Sequence, residues 1–270
     1  MSAANPESNS SRVLVWDLPT RLFHWLLVAS FAAAYVTSEW DRVRALHALA
    51  GYTAGGLIAF RLLWGVAGTR YARFSGFAFA PARVFGYVRS LLAGRPQHYT
   101  GHNPAGSWAV VALLGLVAGT AATGFATLNG IGPEWLEDVH EGFANATLAL
   151  VVVHVIAVIA SSVLHRENLA RAMLTGRKQA HGEPAAAGTR WPVAAALGAA
   201  VVAFWIGMLP APGLQRPGGV GALPTLTAEA AARVDDEGRQ EGRQVGRVEG
   251  REARRQEREE RGRERREREH

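Results

Sequence analysis

The sequence predicts an all-α integral membrane protein, with a four-helix transmembrane bundle, a fifth transmembrane helix and a charged tail. Two observations support this fold class. Five long apolar runs lie between residues 14 and 210. Beyond them, residues 228–270 contain 13 arginines and 13 acidic residues and few large apolar side chains. The mean hydropathy of the whole chain, +0.02, therefore averages two unlike parts that have to be interpreted separately.

The apolar runs have the length of membrane-spanning helices. A helix needs about 20 residues to cross a hydrocarbon core of ~30 Å. Four runs reach this length, and the first reaches it when residues 37–40 are added. None shows the alternation of barrel strands, so helices are the spanning structures that they can form. The runs comprise residues 22–36, 45–66, 105–128, 139–164 and 192–209.

Composition divides the chain into five segments. A disordered N-terminus (1–13) precedes the four-helix domain (14–178), a basic loop (179–190) and the fifth transmembrane helix (191–210). Residues 211–270 form a linker and an Arg/Glu-rich, low-complexity tail. Repeated glycines weaken helix in the tail and no apolar heptad supports a coiled coil, so we expect disorder. Because its charges balance, we expect no nucleic-acid binding.

The basic residues of the loops predict the orientation in the membrane. The loops after spans two and four are rich in arginine, whereas the loop after span three has only acidic charges. The positive-inside rule then puts the N-terminus and both basic loops in the cytoplasm, and with five spans the tail lies on the other side of the membrane. Within the second loop, residues 80–95 are typical of a helix lying on the inner leaflet; an ordinary packed loop helix is the alternative.

Four of the nine histidines lie within or at the edge of the spans, at His24, His47, His140 and His154. Ionisable residues there are rare and usually mark a cofactor, ion or proton path. His140 and His154 are 14 residues apart, about 21 Å and four turns, so both project from nearly one helix face. A cleaved signal peptide is the alternative for span one, but such a segment would have no use for His24.

The depths of these histidines indicate two pairs. With the predicted orientation, His47 and His140 lie near the outer side, and His24 and His154 lie near the inner side. Two haems, each with two imidazole ligands to the iron, fit this arrangement and suit electron transfer. The chain has no cysteine, which excludes thiolate ligands and covalent c-type attachment. Gly51 and Gly55 follow His47 at four-residue spacing, where a flat macrocycle could approach; close helix packing is the alternative.

The other histidines are weaker candidates. His165 follows His154 by 11 residues but lies beyond the apolar run, where it could contact a haem propionate or a quinone headgroup. His98 and His102 are interpreted as loop residues, although the motif GHNPAG could cap span three. If a quinone binds on the cytoplasmic side, Arg21, Trp25, Arg61 and His165 are candidate neighbours, among which the sequence does not choose.

Several motifs resemble the bacterial cytochrome b-561 family, which includes the cytochrome b subunits of nickel–iron hydrogenases. They are RLFHW, RALHALAGY, GHNPAG and VHEGFANATLALVVVH followed by HRENLARAMLTGRK. The resemblance covers about residues 14–178. It implies a four-helix core with two haem b groups, and by position their ligands are His24, His47, His140 and His154. The fifth span and the charged tail depart from the family core.

The sequence therefore predicts a diheme b-type membrane cytochrome of a respiratory chain. The resemblance implies electron exchange between the quinone pool and a partner, which is a hydrogenase, another dehydrogenase or a periplasmic cytochrome c. Whether a quinone binds, whether the chain is a quinone-linked oxidoreductase and whether it forms a homodimer are left open. The main alternative is a histidine-based proton or metal-ion transporter without haem, which would need acidic partners that the apolar runs lack. A membrane scaffold or a ferric or sulfoxide reductase haem subunit are further alternatives.

Overall fold

The computed structural model describes residues 12–95, 97–179, 184–186 and 188–214, without the side chains of Asp41 and Leu92. Seven α-helices and two short strands lie in this part of the chain. The expectations for residues 1–11 and for nearly all of the tail fall outside it. The helices are α1 (Leu18–Val36), α2 (Arg44–Ala67), α3 (Pro81–Leu92), α4 (Pro104–Leu128), α5 (Leu136–Leu164), α6 (Leu169–Thr175) and α7 (Trp191–Trp205).

Side-chain caps determine where three of the helices begin. Asp17 caps α1 by accepting a hydrogen bond of 2.8 Å from the Thr20 amide, and Asn168 caps α6 in the same way. Asn103 accepts from the Gly106 amide at 2.6 Å and caps α4, with Pro104 as the first helical residue. Such caps satisfy amides that have no partner inside the helix. GHNPAG is thus the cap of the third apolar run.

Three helices, α2, α4 and α5, are long and apolar enough to cross a membrane. They correspond to predicted spans two, three and four. Helix α1 has 19 residues and carries Arg21 and His24 near its start, and α7 has only 15 residues. At 1.5 Å per residue α7 covers about 22 Å, less than a hydrocarbon core of ~30 Å. Transmembrane positions for α1 and α7 therefore stay predictions.

The apolar core lies between α1, α2, α4 and α7. Its buried members include Phe23, Leu57, Leu114 and Leu197, one from each of these helices. Helix α5 contributes none of them and packs mainly against α4, whereas α1 and α2 are not among its principal packing partners in the described part. Helix α5 is thus held in the bundle mainly through α4.

The segments predicted to be cytoplasmic meet at one end of the bundle. Strand β1 (Arg12–Leu14) pairs antiparallel with β2 (Arg177–Gln179), which links the N-terminus to the segment after α6. The Trp16 ring packs on His102, with 4.6 Å between the ring centroids. Arg12 and Val13, which the prediction assigned to the N-terminal segment, belong to β1, where the strand pairing satisfies their backbone groups.

The segment that begins with α7 runs beside α1 and α2. The Leu18 amide donates to the Thr189 carbonyl just before α7, at the end where α1 begins. Farther along, the Trp205 indole donates to the Thr53 hydroxyl at 2.9 Å, and the Tyr52 hydroxyl donates to the Pro212 carbonyl. Since Tyr52 and Thr53 lie in the first half of α2, the segment passes from one end of the bundle towards the other.

Candidate cofactor site

The structure brings His47 on α2 and His140 on α5 together. Their ring centroids are 6.1 Å apart and their planes are nearly perpendicular, at 81°. Two imidazole nitrogens that each lie about 2 Å from one metal ion, on opposite sides, put the ring centres about 6 Å apart. The spacing of this outer pair therefore fits an ion held between two histidines.

Hydrogen bonds orient both rings of the outer pair. His47 Nδ1 lies 2.8 Å from the Ala34 carbonyl oxygen, and His140 Nδ1 lies 2.9 Å from the Thr120 carbonyl oxygen and 3.2 Å from Thr123 Oγ1. A carbonyl only accepts, so each Nδ1 carries the proton and each Nε2 keeps a lone pair. Metal-ligating histidines are typically held by such a bond from the other ring nitrogen.

Glycines on α2 and α4 shape the space around these rings. A Cβ atom at Gly124 would lie 2.7 Å from His140 Cε1, so only glycine lets this ring take its position. On α2, a Cβ atom at Gly51, one turn after His47, would meet no atom within 4 Å. The space beside the outer pair can therefore admit a flat group against α2, which fits the macrocycle of haem.

His24 on α1 and His154 on α5 form the second predicted pair. Both side chains are partly buried, and the described residues show no ring contact between them like the one between His47 and His140. His24 Nδ1 is buried and has no hydrogen-bond partner within the described residues. The rings of the inner histidines are therefore not held by the carbonyl contacts that orient the outer pair, and their pairing stays a prediction.

Helix α5 presents both of its predicted ligands from one face. Its only buried residues are Thr147 and Ser161, seven residues after His140 and His154 respectively. The side chains between these positions are largely exposed, including Val153 and Ile156. Since the four residues repeat by seven, they lie along one line of the helix, turned towards the other helices.

The two histidines interpreted as loop residues lie at the predicted cytoplasmic end. His102 packs between Trp16 and Phe77, and burial lowers its pKa to about 3, with further contributions from Arg61, Lys178 and His154. It is therefore neutral at physiological pH. The His98 and His165 rings lie 5.1 Å apart in a small open pocket.

Sequence reasoning missed several polar residues of that pocket. Tyr87, which is 2% exposed, accepts a hydrogen bond from Asn103, and Lys178 donates to the Tyr99 carbonyl at 2.9 Å. Asn103 and Lys178 lie in the motifs GHNPAG and HRENLARAMLTGRK, but nothing in the sequence indicated that they meet Tyr87 and Tyr99 in one pocket. Of the suggested quinone neighbours, Arg61 is buried, Trp25 is exposed, and Arg21 donates to the Leu174 carbonyl.

Comparison with known families decides what kind of protein carries this arrangement. The model of the prokaryotic cytochrome b561 family matches residues 15–176, more than half of the chain. The chain belongs to this family. No curated protein and no solved structure matches the chain. As a member of the cytochrome b561 family, it is a membrane protein of electron transfer, in a family that binds haem b and works with hydrogenases or other redox partners.

The residues present in this cytochrome b561 fit a bound haem. Outside the macrocycle's own nitrogens, haem iron needs only two ligands, and two imidazoles supply them. Across the described residues, no group of three or more histidine, aspartate or glutamate side chains is arranged to hold a bare metal ion. The matched region contains all four predicted ligands and ends just before β2, so α7 and the tail lie outside it.

Proposed function

We propose that this cytochrome b561 is a diheme carrier that moves electrons between the quinone pool and a partner redox protein in the bacterial inner membrane. The observation that carries the proposal is the outer pair, two histidines 6.1 Å apart with both Nδ1 atoms engaged. The same helix α5 offers His154 four turns farther on, opposite His24. With one haem in each leaflet, an electron would cross the membrane in two successive transfers.

Each histidine has a defined part in this function. His47 and His140 would hold the outer haem, and His24 and His154 the inner one, each ligating through Nε2. When bound between these histidines, haem would supply reversible one-electron chemistry. The bonds from Nδ1 to carbonyl oxygens would hold the rings of the outer ligands in fixed orientations.

The orientation is part of the proposal. The N-terminus and both basic loops would be cytoplasmic, α7 would complete a fifth crossing, and the tail would be periplasmic. The inner haem would then lie near the cytoplasmic surface and the outer haem near the periplasm. A dehydrogenase, a hydrogenase or a cytochrome c could exchange electrons at either surface, and quinone would enter from the lipid beside one haem.

The transporter alternative has less support. A proton relay needs acidic partners along the path, and in the described residues the one buried carboxylate, Asp17, precedes α1 and is fully engaged as a cap. A metal-ion path would need more than two protein ligands at each stage. The contacts of the outer pair also fix the tautomers, which suits a permanent ligand better than a relay.

The haem-to-protein ratio of purified protein, with reduced-minus-oxidised spectra, tests the proposal. We expect about two b-type haems per wild-type chain and one in His154→Ala, because an iron with a single axial ligand is weakly held. His165→Ala is the matched control on the same helix end, and it should retain both. A folded wild-type protein that contains no haem would refute the proposal and favour the transporter.

A further inference from the structure

A buried arginine at the inner end of α2 has an unused donor. Arg61 is 2% exposed, and its Nη1 atom is buried without a hydrogen-bond partner in the described part of the chain. Its guanidinium carbon lies 4.7 Å from the centroid of the Phe74 ring. A buried cation with an unsatisfied N–H is costly unless an anion compensates it.

Asp17 does not supply that anion directly. Its carboxylate already accepts from the Thr20 amide, from the Trp64 indole at 3.1 Å and from the Thr69 hydroxyl at 2.6 Å. Its charge acts on Arg61, but the two side chains form no salt bridge within the described residues. Asp17 is thus occupied by neutral donors, and Nη1 of Arg61 remains available to another acceptor.

Arg61 lies at the depth predicted for the inner haem. It follows His47 by 14 residues on α2, as His154 follows His140 on α5, and 14 residues cover about 21 Å and four turns. His47 and His140 lie at the same depth, and α2 and α5 both run from there towards the inner side. Arg61 and His154 therefore reach similar depths. They also lie on the same helix faces as His47 and His140, respectively. The charges of Arg61 and His154 both act on His102, which agrees with this placement.

Besides Arg61 Nη1, four other buried polar side-chain atoms of the described residues have no hydrogen-bond partner. Buried polar atoms are normally hydrogen-bonded, so exceptions call for a physical reason. Among the described residues the exceptions, with Arg61 Nη1 included, come from the start of α1, the end of α2 and the segment before α4, which meet at one end of the bundle. They are Thr20 Oγ1, Arg21 Nε, His24 Nδ1, Arg61 Nη1 and Thr100 Oγ1.

We propose that Arg61 binds a carboxylate of the inner haem, one of its propionate groups, and raises the reduction potential of that haem. The inference rests on the proposed diheme function. A guanidinium matches a carboxylate in geometry and charge. The positive charge of Arg61 offsets the negative charge of the propionate, and this favours the reduced haem, whose iron carries less positive charge. Without Arg61 the reduced haem is stabilised less, so its reduction potential falls.

Redox titration of the purified holoprotein tests the proposal, with Arg61→Gln, Arg61→Lys and the control Arg44→Gln on the exposed outer start of α2. We expect Arg61→Gln to retain two haems, to lower the potential of one, and to release that haem about tenfold faster, as loss of a charge-assisted hydrogen bond implies. His154→Ala identifies the affected component as the inner haem. Arg61→Lys should give an intermediate shift, and Arg44→Gln none.

An infrared measurement separates binding from a general field effect. With ¹³C in the propionate carboxyls, the redox-difference band of one propionate should move in Arg61→Gln and partly return in Arg61→Lys. Unchanged potentials, release rates and carboxylate bands in Arg61→Gln would overturn the proposal. So would a potential that depends on added chloride or phosphate, because a free anion would then occupy the site. Absence of the inner haem from the wild type would refute the diheme function instead.

Discussion

At the scale of single residues, the position of the His140 ring depends on the absence of a side chain at Gly124. The two residues lie on adjacent helices, and a Cβ atom would come within 2.7 Å of Cε1. Contacts under about 3 Å cannot persist, so the ring would have to move and lose its bonds to Thr120 and Thr123. The outer ligand therefore depends on a residue of α4 that is itself no ligand.

We expect Gly124→Ala to reduce the content of the outer haem while the inner haem stays bound. The change otherwise favours helix by about 1 kcal/mol, so a loss cannot come from weaker helix propensity. Spectra and haem content of the purified variant measure the effect. Gly115→Ala is the control on the same helix, where a Cβ atom would meet nothing within 4 Å. Equal haem content in both variants would contradict this account.

Asp17 is a second residue that stabilises contacts beyond its own helix. Besides capping α1, its side chain is completely buried and links α1 to Trp64 and Thr69. Its replacement would leave these donors without an acceptor in an environment that excludes water.

We expect Asp17→Ala to lower the free energy of unfolding by about 2–4 kcal/mol, since a cap and two buried hydrogen bonds are lost. Unfolding in detergent, followed by circular dichroism, measures this. The control is Asn168→Ala, which removes the exposed cap of α6 and should cost about 1 kcal/mol. A cost at Asp17 no greater than that at Asn168 would argue against the buried linking role.

At the scale of elements, α3 has one side in the protein and one side exposed. Tyr87 is buried and bonded to Asn103, whereas Phe85 is 72% exposed and Val88 is 41% exposed. The helix carries Arg83 and Arg89 and no acidic residue. Exposed apolar side chains beside arginines suit the boundary of an anionic lipid surface, as predicted for residues 80–95.

We expect a spin label at Phe85→Cys to be accessible to oxygen and protected from a water-soluble nickel complex in liposomes. A label at Arg83→Cys, about 200° away around the helix, should show the reverse. The absence of native cysteines makes each label unique. Equal nickel accessibility at both positions would place the exposed face of α3 in water.

At the scale of the whole molecule, the number of crossings determines where the tail lies. Four helices would return the chain to the cytoplasm, whereas a fifth crossing by α7 and its extension would place the tail in the periplasm. Helix α7 is short, but residues 206–212 continue beside α2 as far as Tyr52.

We expect alkaline phosphatase fused after residue 270 to be active, because the enzyme matures only in the periplasm. Fusions after Ile131 and Phe77 serve as the periplasmic and cytoplasmic references under the same expression conditions. An inactive fusion at the C-terminus, with an active one after Ile131, would reduce the number of crossings to four.

The sequence by itself determined the long helices, because apolar length is a local property, whereas the seven-residue helix α6 was not predicted. It also determined the phase of the histidines on α5, since a 14-residue spacing puts His140 and His154 on one face in any helix. The family assignment agrees with the resemblance seen in these motifs. Whether the four histidines ligate two haems is still a prediction, and the proposed haem measurements will decide it.

Only the tertiary structure decided which groups meet across helices. The 6.1 Å spacing of the outer pair, the carbonyl partners of His47 and His140 and the clearance at Gly124 all depend on how α1, α2, α4 and α5 pack. The complete burial of Asp17 and the unpartnered Nη1 of Arg61 follow from the same packing. Contacts between distant segments depend on shape, and no local spacing encodes them.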